Sequence, residues 1–227
     1  LADNPSASFI HLSYSDSLAL DNSESIRDIV TSAEYQELFP DVQIKKDSNA
    51  KKKWYTDKGG GVYATGAGGS VTGFGAGSIT PSGKFDGAII IDDPIKPDDA
   101  ESATVRGRIN ERYDSTIKNR VNHRLTPIII IMQRLHPEDL CGYLLEKNEE
   151  PWEVVNIPVI QDGKAIWDYK HTIEDLESMR RANSVVFERQ YMQNPVPREG
   201  MLYTKFYTYT DLPTQGAIKR KCYTDTA

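Results

Sequence analysis

Apolar positions along the chain come in two patterns, short unbroken runs and longer stretches at helical spacing, and their alternation predicts the elements. SFIHLSYS (residues 8–15) alternates and ends in hydroxyls, which predicts a strand meeting a helix start. In DSLALDNSESIRDIVTSAEYQELFP (residues 16–40), Leu18, Ile26, Ile29, Val30, Tyr35 and Leu38 recur at roughly helical spacing, with Pro40 as the stop. A polar stretch, KKDSNAKKKW, leads to the glycine-rich GGGVYATGAGGSVTGFGAG (residues 59–77). A hairpin of short strands is expected there, because Gly supplies the positive φ of tight turns. Two strand-length apolar runs follow, AIII at 88–91 and IIIIM at 128–132. Each lacks periodicity and reads as a strand buried on both faces. Between them, residues 98–122 read as helical with Gly107 as the weak point, and a further helix is expected from about Pro137. Strand–helix–strand–helix order with fully apolar strands predicts an α/β fold with a parallel sheet.

From Pro151 the texture changes. WEVVNIPVI (residues 152–160) reads as a short strand and residues 161–167 as a polar turn. Thr172 to Asn183 is expected to be a helix opened by a capping box, Thr172 facing Asp175. VFERQYMQNPVPREGMLY reads as a helix end, a proline-broken loop and extended chain, in which Tyr191 to Pro195 are packing and turn residues. AIKRKCYTDTA (residues 217–227) reads as a fresh strand. Three regions result: residues 1–160, a connector at 161–215, and the opening of another domain at 216–227.

With 227 residues and 38% hydrophobic content, the chain can bury one large core or two small ones. A net charge of −6 excludes a uniformly basic nucleic-acid coat and leaves only local patches for phosphate. Two cysteines, Cys141 and Cys222, suggest neither a disulfide framework nor a zinc site, and a reducing setting is expected. Cys141 follows Leu140 in a packed helix and reads as a small core residue. The longest apolar run, residues 127–132, is far short of a membrane span, and no signal peptide is seen. The chain opens on Leu1 and closes on Ala227, and both ends are expected to be cuts in something longer.

The run at 88–91 ends in two adjacent carboxylates, Asp92 and Asp93, followed by Pro94, which stops the strand. Open α/β sheets place ligands at the carboxyl ends of their strands. There a Walker B element uses one acid toward Mg²⁺ and can use its neighbour toward the attacking water. An isolated apolar-Asp-Asp string is more simply an acidic surface turn, so the neighbouring segments decide. The second strand puts Gln133, Arg134 and His136 just past its end, where a polar residue can sense a phosphate. Glu138 and Asp139 read as acids suited to a helix N-terminus. No phosphate cradle is recognisable: in SITPSGKF, Ser78 stands at the first Gly position, Phe85 follows Gly83-Lys84, and a strand comes next. An ATPase reading therefore places Walker A upstream of Leu1. Lys45, Lys46 and Lys51 to Lys53, with Trp54 and Tyr55, form one candidate DNA-contacting patch. Arg106, Arg108, Arg112, Lys118, Arg120 and Arg124 form a second, diluted by acids; either is more simply a solvated face.

Seven segments in order, SYSDSLAL…SAEYQELFP, the glycine-rich stretch, IIIDDPIKPDDAES, IIIIMQRLHPEDLCGYLL, WEVVNIPVI, FERQYMQNPVPREGMLY and YTDTA, resemble the large terminase subunit of tailed bacteriophages. The resemblance implies the later part of an ASCE-type P-loop ATPase over residues 1–160, then the connector and the first strand of a ribonuclease H-like nuclease. It implies Asp92 as the Walker B metal-linked acid, Asp93 as the catalytic carboxylate, residues 133–136 as the coupling motif at the nucleotide, and Asp225 as the first nuclease metal ligand. Phe74 stands where relatives often carry an arginine finger, which leaves Arg106, Lys84 or Arg134 for that charge. ATP with Mg²⁺, and Mg²⁺ or Mn²⁺ at the nuclease, are the implied cofactors. The implied partners are double-stranded DNA, the small terminase subunit, the portal of the procapsid and further copies in a ring, with no membrane, in the host-cell cytoplasm. The fragment alone is expected to be inactive, since it has neither Walker A nor the remaining nuclease acids. A helicase-like P-loop motor would use the same strand ends, and the other alternative is a non-catalytic DNA-binding or assembly module that has lost its catalytic ends.

Overall fold

Ser8–Ser13 forms β1, and Ser15 accepts the Leu18 amide to cap α1 (Asp16–Thr31). The structure is a computed structural model that describes residues 1–48, 50–80 and 83–195, so Asp225 and the expected domain opening at 216–227 lie outside the described residues. The helical pattern of residues 16–40 is split at Ser32, which is extended (ψ 152°) and both ends α1 and caps α2 (Ala33–Leu38). Serine suits that junction because its hydroxyl satisfies an orphan amide, here that of Tyr35.

β2 (Lys53–Tyr55), β3 (Gly61–Gly66), β4 (Ile89–Asp92) and β5 (Ile128–Ile131) complete a five-stranded sheet in the order β2-β3-β1-β4-β5. All pairings are parallel except β2–β3. The fold is therefore α/β with a mostly parallel sheet. The hairpin expected inside residues 59–77 is displaced: its first arm is β2, from the lysine-rich stretch, and the glycines contribute one strand and a loop. Tertiary pairing overrode the reading because β-preference follows burial, and Trp54 in β2 is fully buried with its Nε1–H on Ser23 Oγ at 3.0 Å. Gly87 (φ 136°) lets the chain enter β4 against β1, since a Cβ there would lie 1.9 Å from the Ser8 carbonyl oxygen.

The two faces of the sheet are covered differently. Ile10, Leu12, Ile89 and Ile91 pack with Tyr113, Ile117, Leu140 and Leu144 in the main core. These partners come from the segment after β4, α3 (Ala103–Arg112) with a π-turn at Tyr113–Ile117, and from α4 (Leu140–Lys147). Gly107 does not interrupt α3; the irregularity falls at the π-turn, where buried Tyr113 packs into the core. On the other face, Val62 and Phe9 pack with Ile26 and Val30 of α1 and with Trp54. β5 is the last strand of the described sheet. The expectation that it is buried on both faces fails, because Ile129 is 40% and Ile131 55% exposed on the face that β4 presents through Ile90 and Asp92.

WEVVNIPVI does not form the expected strand. Residues 152–158 are irregular, and Val154, Val155 and Ile157 are exposed because no strand lies beside them among the described residues to pair their backbone. Only Ile160–Gln161 (β6) pairs, with Lys164–Ala165 (β7), through the positive-φ pair Asp162 (51°) and Gly163 (73°) that a two-residue hairpin requires. The Thr172–Asp175 capping box is present and opens α5 (Ile173–Ala182). α6 (Ser184–Val186) then runs into a π-turn at Phe187–Tyr191.

The exposure difference along the sheet predicts unequal tolerance. Ile91→Ala, at 1% exposure, is expected to lower the unfolding free energy by about 2–5 kcal/mol, whereas Ile131→Ala is expected to cost less than about 1.5 kcal/mol. Urea denaturation of both variants checks this, and equal losses would contradict the edge position of β5.

Candidate functional site

The centre of the sheet holds a change of winding direction. From β1 the chain goes through α1 to β3 on one side; from β4 it goes through α3 to β5 on the other. The two helices lie on opposite faces, α1 with Val62 and Phe9, α3 with the opposite core. A crevice at the carboxyl ends of two such strands is where open α/β sheets bind ligands. Ser13 at the end of β1 is in register with Asp92 at the end of β4, so the acid pair sits at this point.

Parallel pairing and a sharp exit fix Asp93. Its N–H donates to the Ile131 carbonyl at 2.8 Å, and its carbonyl accepts from Tyr14 N–H at 2.9 Å, so it is stitched to both neighbouring strands. Its φ is 44°, in the left-handed region that Asp tolerates better than most non-glycine residues. A left-handed residue held by two strands and followed by Pro94 marks a site where the surrounding structure over-determines the backbone. Burial and the neighbouring Asp92 charge raise the pKa of the Asp93 carboxyl, while the Gln133 backbone amide, donating to it, opposes that rise. A carboxylate with a raised pKa is a better proton acceptor than an ordinary one.

Asp92 has partners that sequence reading missed. Asn22 of α1 donates one amide hydrogen to Asp92 Oδ2 at 3.3 Å, and its Nδ2 lies 3.2 Å from His11 Nε2. His11, on β1, is 6% exposed. With Asn22 Nδ2 as donor to both, His11 accepts at Nε2 and Asp92 at Oδ2. Burial lowers the His11 pKa, and the Asp92 charge acts in the opposite direction. The signal was weak: His11 alternates into a strand and Asn22 sits mid-helix, with no spacing motif to join them. Ser13 Oγ, fully buried in register with Asp92, has no hydrogen-bond partner among the described residues.

The residues after β5 are distributed rather than gathered. Gln133 is exposed and reaches the acid pair through its backbone amide. Arg134 is turned to Asp139, with Nε 3.0 and 3.1 Å from the two carboxylate oxygens. Asp139, fully buried in its side chain, also caps α4 through Gly142 N–H at 2.9 Å, as the acidic helix start suggested. His136 accepts the Glu138 amide at Nδ1, and burial and Arg106 lower its pKa; its charged neighbours are Arg106, Glu138, Glu101 and Arg189. Arg106 is itself buried and paired with Glu138 at 2.9 Å, which removes it from a solvated basic face. Phe74 stacks on Tyr63 with centroids 5.5 Å apart. Trp54 is core, so the lysine patch retains Lys52 over Tyr63 and Lys53 over Tyr55 and Phe74, with Lys51 paired to Glu24 at 2.5 Å. Cys141 is half-buried rather than core, and burial pushes its thiol up to about 11, away from the range of a reactive nucleophile.

Among the described residues no group of three or more His, Cys, Asp or Glu side chains is placed to hold a metal ion. Asp92 and Asp93 supply two adjacent carboxylates, fewer oxygen ligands than a cation needs from protein alone. Among the described residues, no helix is long and apolar enough to cross a membrane.

The depressed His11 pKa has a sign. Below its ordinary value of 6.5 the unfolded chain takes up a proton that the folded chain resists, so stability is expected to fall as pH drops below about 6.5. His136 acts in the same direction. His11→Gln is expected to flatten the slope of unfolding free energy between about pH 7 and 5.5; an unchanged slope would refute the buried neutral imidazole.

No protein-family model and no curated protein matches this chain.

Proposed function

We propose that the chain is part of the motor of a DNA-packaging ATPase, the large terminase subunit of a tailed phage, and supplies the acidic half of its ATP site. The observation that carries this reading is the Asp92–Asp93 pair at the carboxyl end of a central parallel strand, at the point where the sheet reverses its winding. The ordered family segments favour this motor over other uses of the same strand end.

Asp92 is the residue that would hold Mg²⁺, which when bound supplies charge for the phosphates in phosphoryl transfer. Asn22 orients the Asp92 carboxylate through its amide hydrogen. Asp93, with its raised pKa, is placed to orient a water and accept its proton at a carboxylate oxygen. Gln133 holds that carboxylate from its backbone amide. The reading requires a phosphate-binding segment that these residues do not contain. The open face of β5, where Ile129 and Ile131 are exposed on the Asp92 side, offers apolar surface for it. Arg134 is held by Asp139 and Phe74 is stacked on an aromatic ring, so a transition-state cation from another subunit is consistent with the site. The nuclease, Asp225 and its Mg²⁺ or Mn²⁺, DNA, the small subunit, the portal and the ring of copies belong to the same proposal.

Two variants of the protein carrying its phosphate-binding segment test it. Asp92→Asn is expected to lower ATP turnover at least about 100-fold, the scale of removing one preorganised charge; undiminished turnover would sink the assignment. Asp225→Asn is expected to leave turnover intact and abolish DNA cleavage, and continued cutting would exclude its metal role.

A further inference from the structure

The turn that leaves β5 distributes its backbone amides among three elements. Gln133 N–H goes to the Asp93 carboxylate. Leu135 and His136 N–H go to Asp139 Oδ2, at 3.0 and 3.3 Å. Between them, Arg134 N–H goes to the side-chain oxygen of Gln193, at 2.9 Å. Gln193 belongs to a segment far along the chain, in the Tyr191 to Pro195 stretch whose sequence suggests packing and a turn.

That segment is built to hold Gln193 in place. Met192 N–H returns to the Phe187 carbonyl at 3.0 Å and Asn194 N–H to Glu188 at 2.8 Å. Gln193 itself has φ 56°, and its Nε2 donates to the Gln190 carbonyl at 2.7 Å, which orients the oxygen that receives Arg134. A second tie runs from the same segment to the other strand exit: Arg189, 7% exposed, donates to the Glu101 carboxylate on the chain leaving β4. One helical segment therefore touches the chain leaving β5 at Arg134 and the chain leaving β4 at Glu101.

Resting on the ATPase reading, we propose that Gln193 is a positioning residue, a latch between the acid site and the helical segment formed by α5, α6 and residues 187–194. Consecutive amides of one turn face Asp93 and Gln193. A change in what Asp93 binds moves the Gln133 amide, and the adjoining Arg134 amide carries that movement to Gln193. The latch transmits the state of the site to the segment beyond it; Gln193 has no role in the chemical step.

Hydrogen exchange resolved at the Arg134 amide tests the latch in this chain without nucleotide. Gln193→Ala is expected to speed exchange there about three- to tenfold, the effect of one lost hydrogen bond on local opening. Gln193→Glu, which keeps an acceptor oxygen, is expected to restore it. The Gly142 amide, held by Asp139, is the internal reference for intact folding. Unchanged Arg134 exchange in Gln193→Ala with Gly142 protected would overturn the latch. In the protein with its phosphate-binding segment, Gln193→Ala is expected to reduce DNA translocated per ATP at least about twofold, with smaller effect on KM for ATP. Unchanged yield per ATP would overturn the transmission. The exchange measurement decides the latch even if Asp92→Asn leaves turnover intact and the ATPase reading falls.

Discussion

Parallel pairing of β1 with β4, the line from Ile10↔Ile89 to Ser13↔Asp92, is the constraint on which the other features depend. Side chains alternate along each strand, so this register sends Leu12 and Ile91 together into the main core and Asp92 to the opposite face, beside His11 and Ser13. A slip of one residue would exchange those sets, burying the carboxylate in an apolar core and exposing the isoleucines. The cost of burying an unpaired charge makes that alternative prohibitive, so the packing that stabilises the sheet also places the acid.

The same pairing explains why Asp93 is backbone-strained and why that strain persists. Its amide and carbonyl are both claimed by neighbouring strands, and Pro94 forbids continuation of the sheet. The remaining freedom is a left-handed turn, which sets the second carboxyl beside the first. Partial burial and proximity to Asp92 then raise its proton affinity. Sheet topology, backbone strain and acid–base character are thus consecutive consequences of one arrangement.

Partners around the acids and the turn beyond β5 come from distant parts of the chain. Asn22 arrives on α1, Gln133 on the exit from β5, and Gln193 from the segment after α5. Each uses an amide group, which can bridge a carboxylate or backbone without adding charge in a site already holding two acids. Asp139 does the complementary work, gathering Arg134 Nε and the Leu135, His136 and Gly142 amides with a side chain that is itself fully buried. The candidate coupling turn is consequently held from both sides.

Local chemistry was legible in the chain. Unbroken apolar runs gave β4 and β5, hydroxyls before periodic segments gave the caps of α1 and α5, and the Asp-Asp-Pro string marked a strand end. These depend on propensity, period and φ restriction, which neighbours in sequence impose. Tertiary structure alone decided the rest. Trp54 became core instead of a nucleic-acid platform, β2 took the hairpin arm expected among the glycines, and β5 lay with Ile131 exposed. WEVVNIPVI stayed unpaired, having no strand beside it among the described residues. The links His11–Asn22–Asp92 and Arg134–Gln193 leave no pattern in sequence. They join single polar side chains across long separations, and their meaning comes from which backbone and carboxyl groups the folded sheet leaves within hydrogen-bond reach.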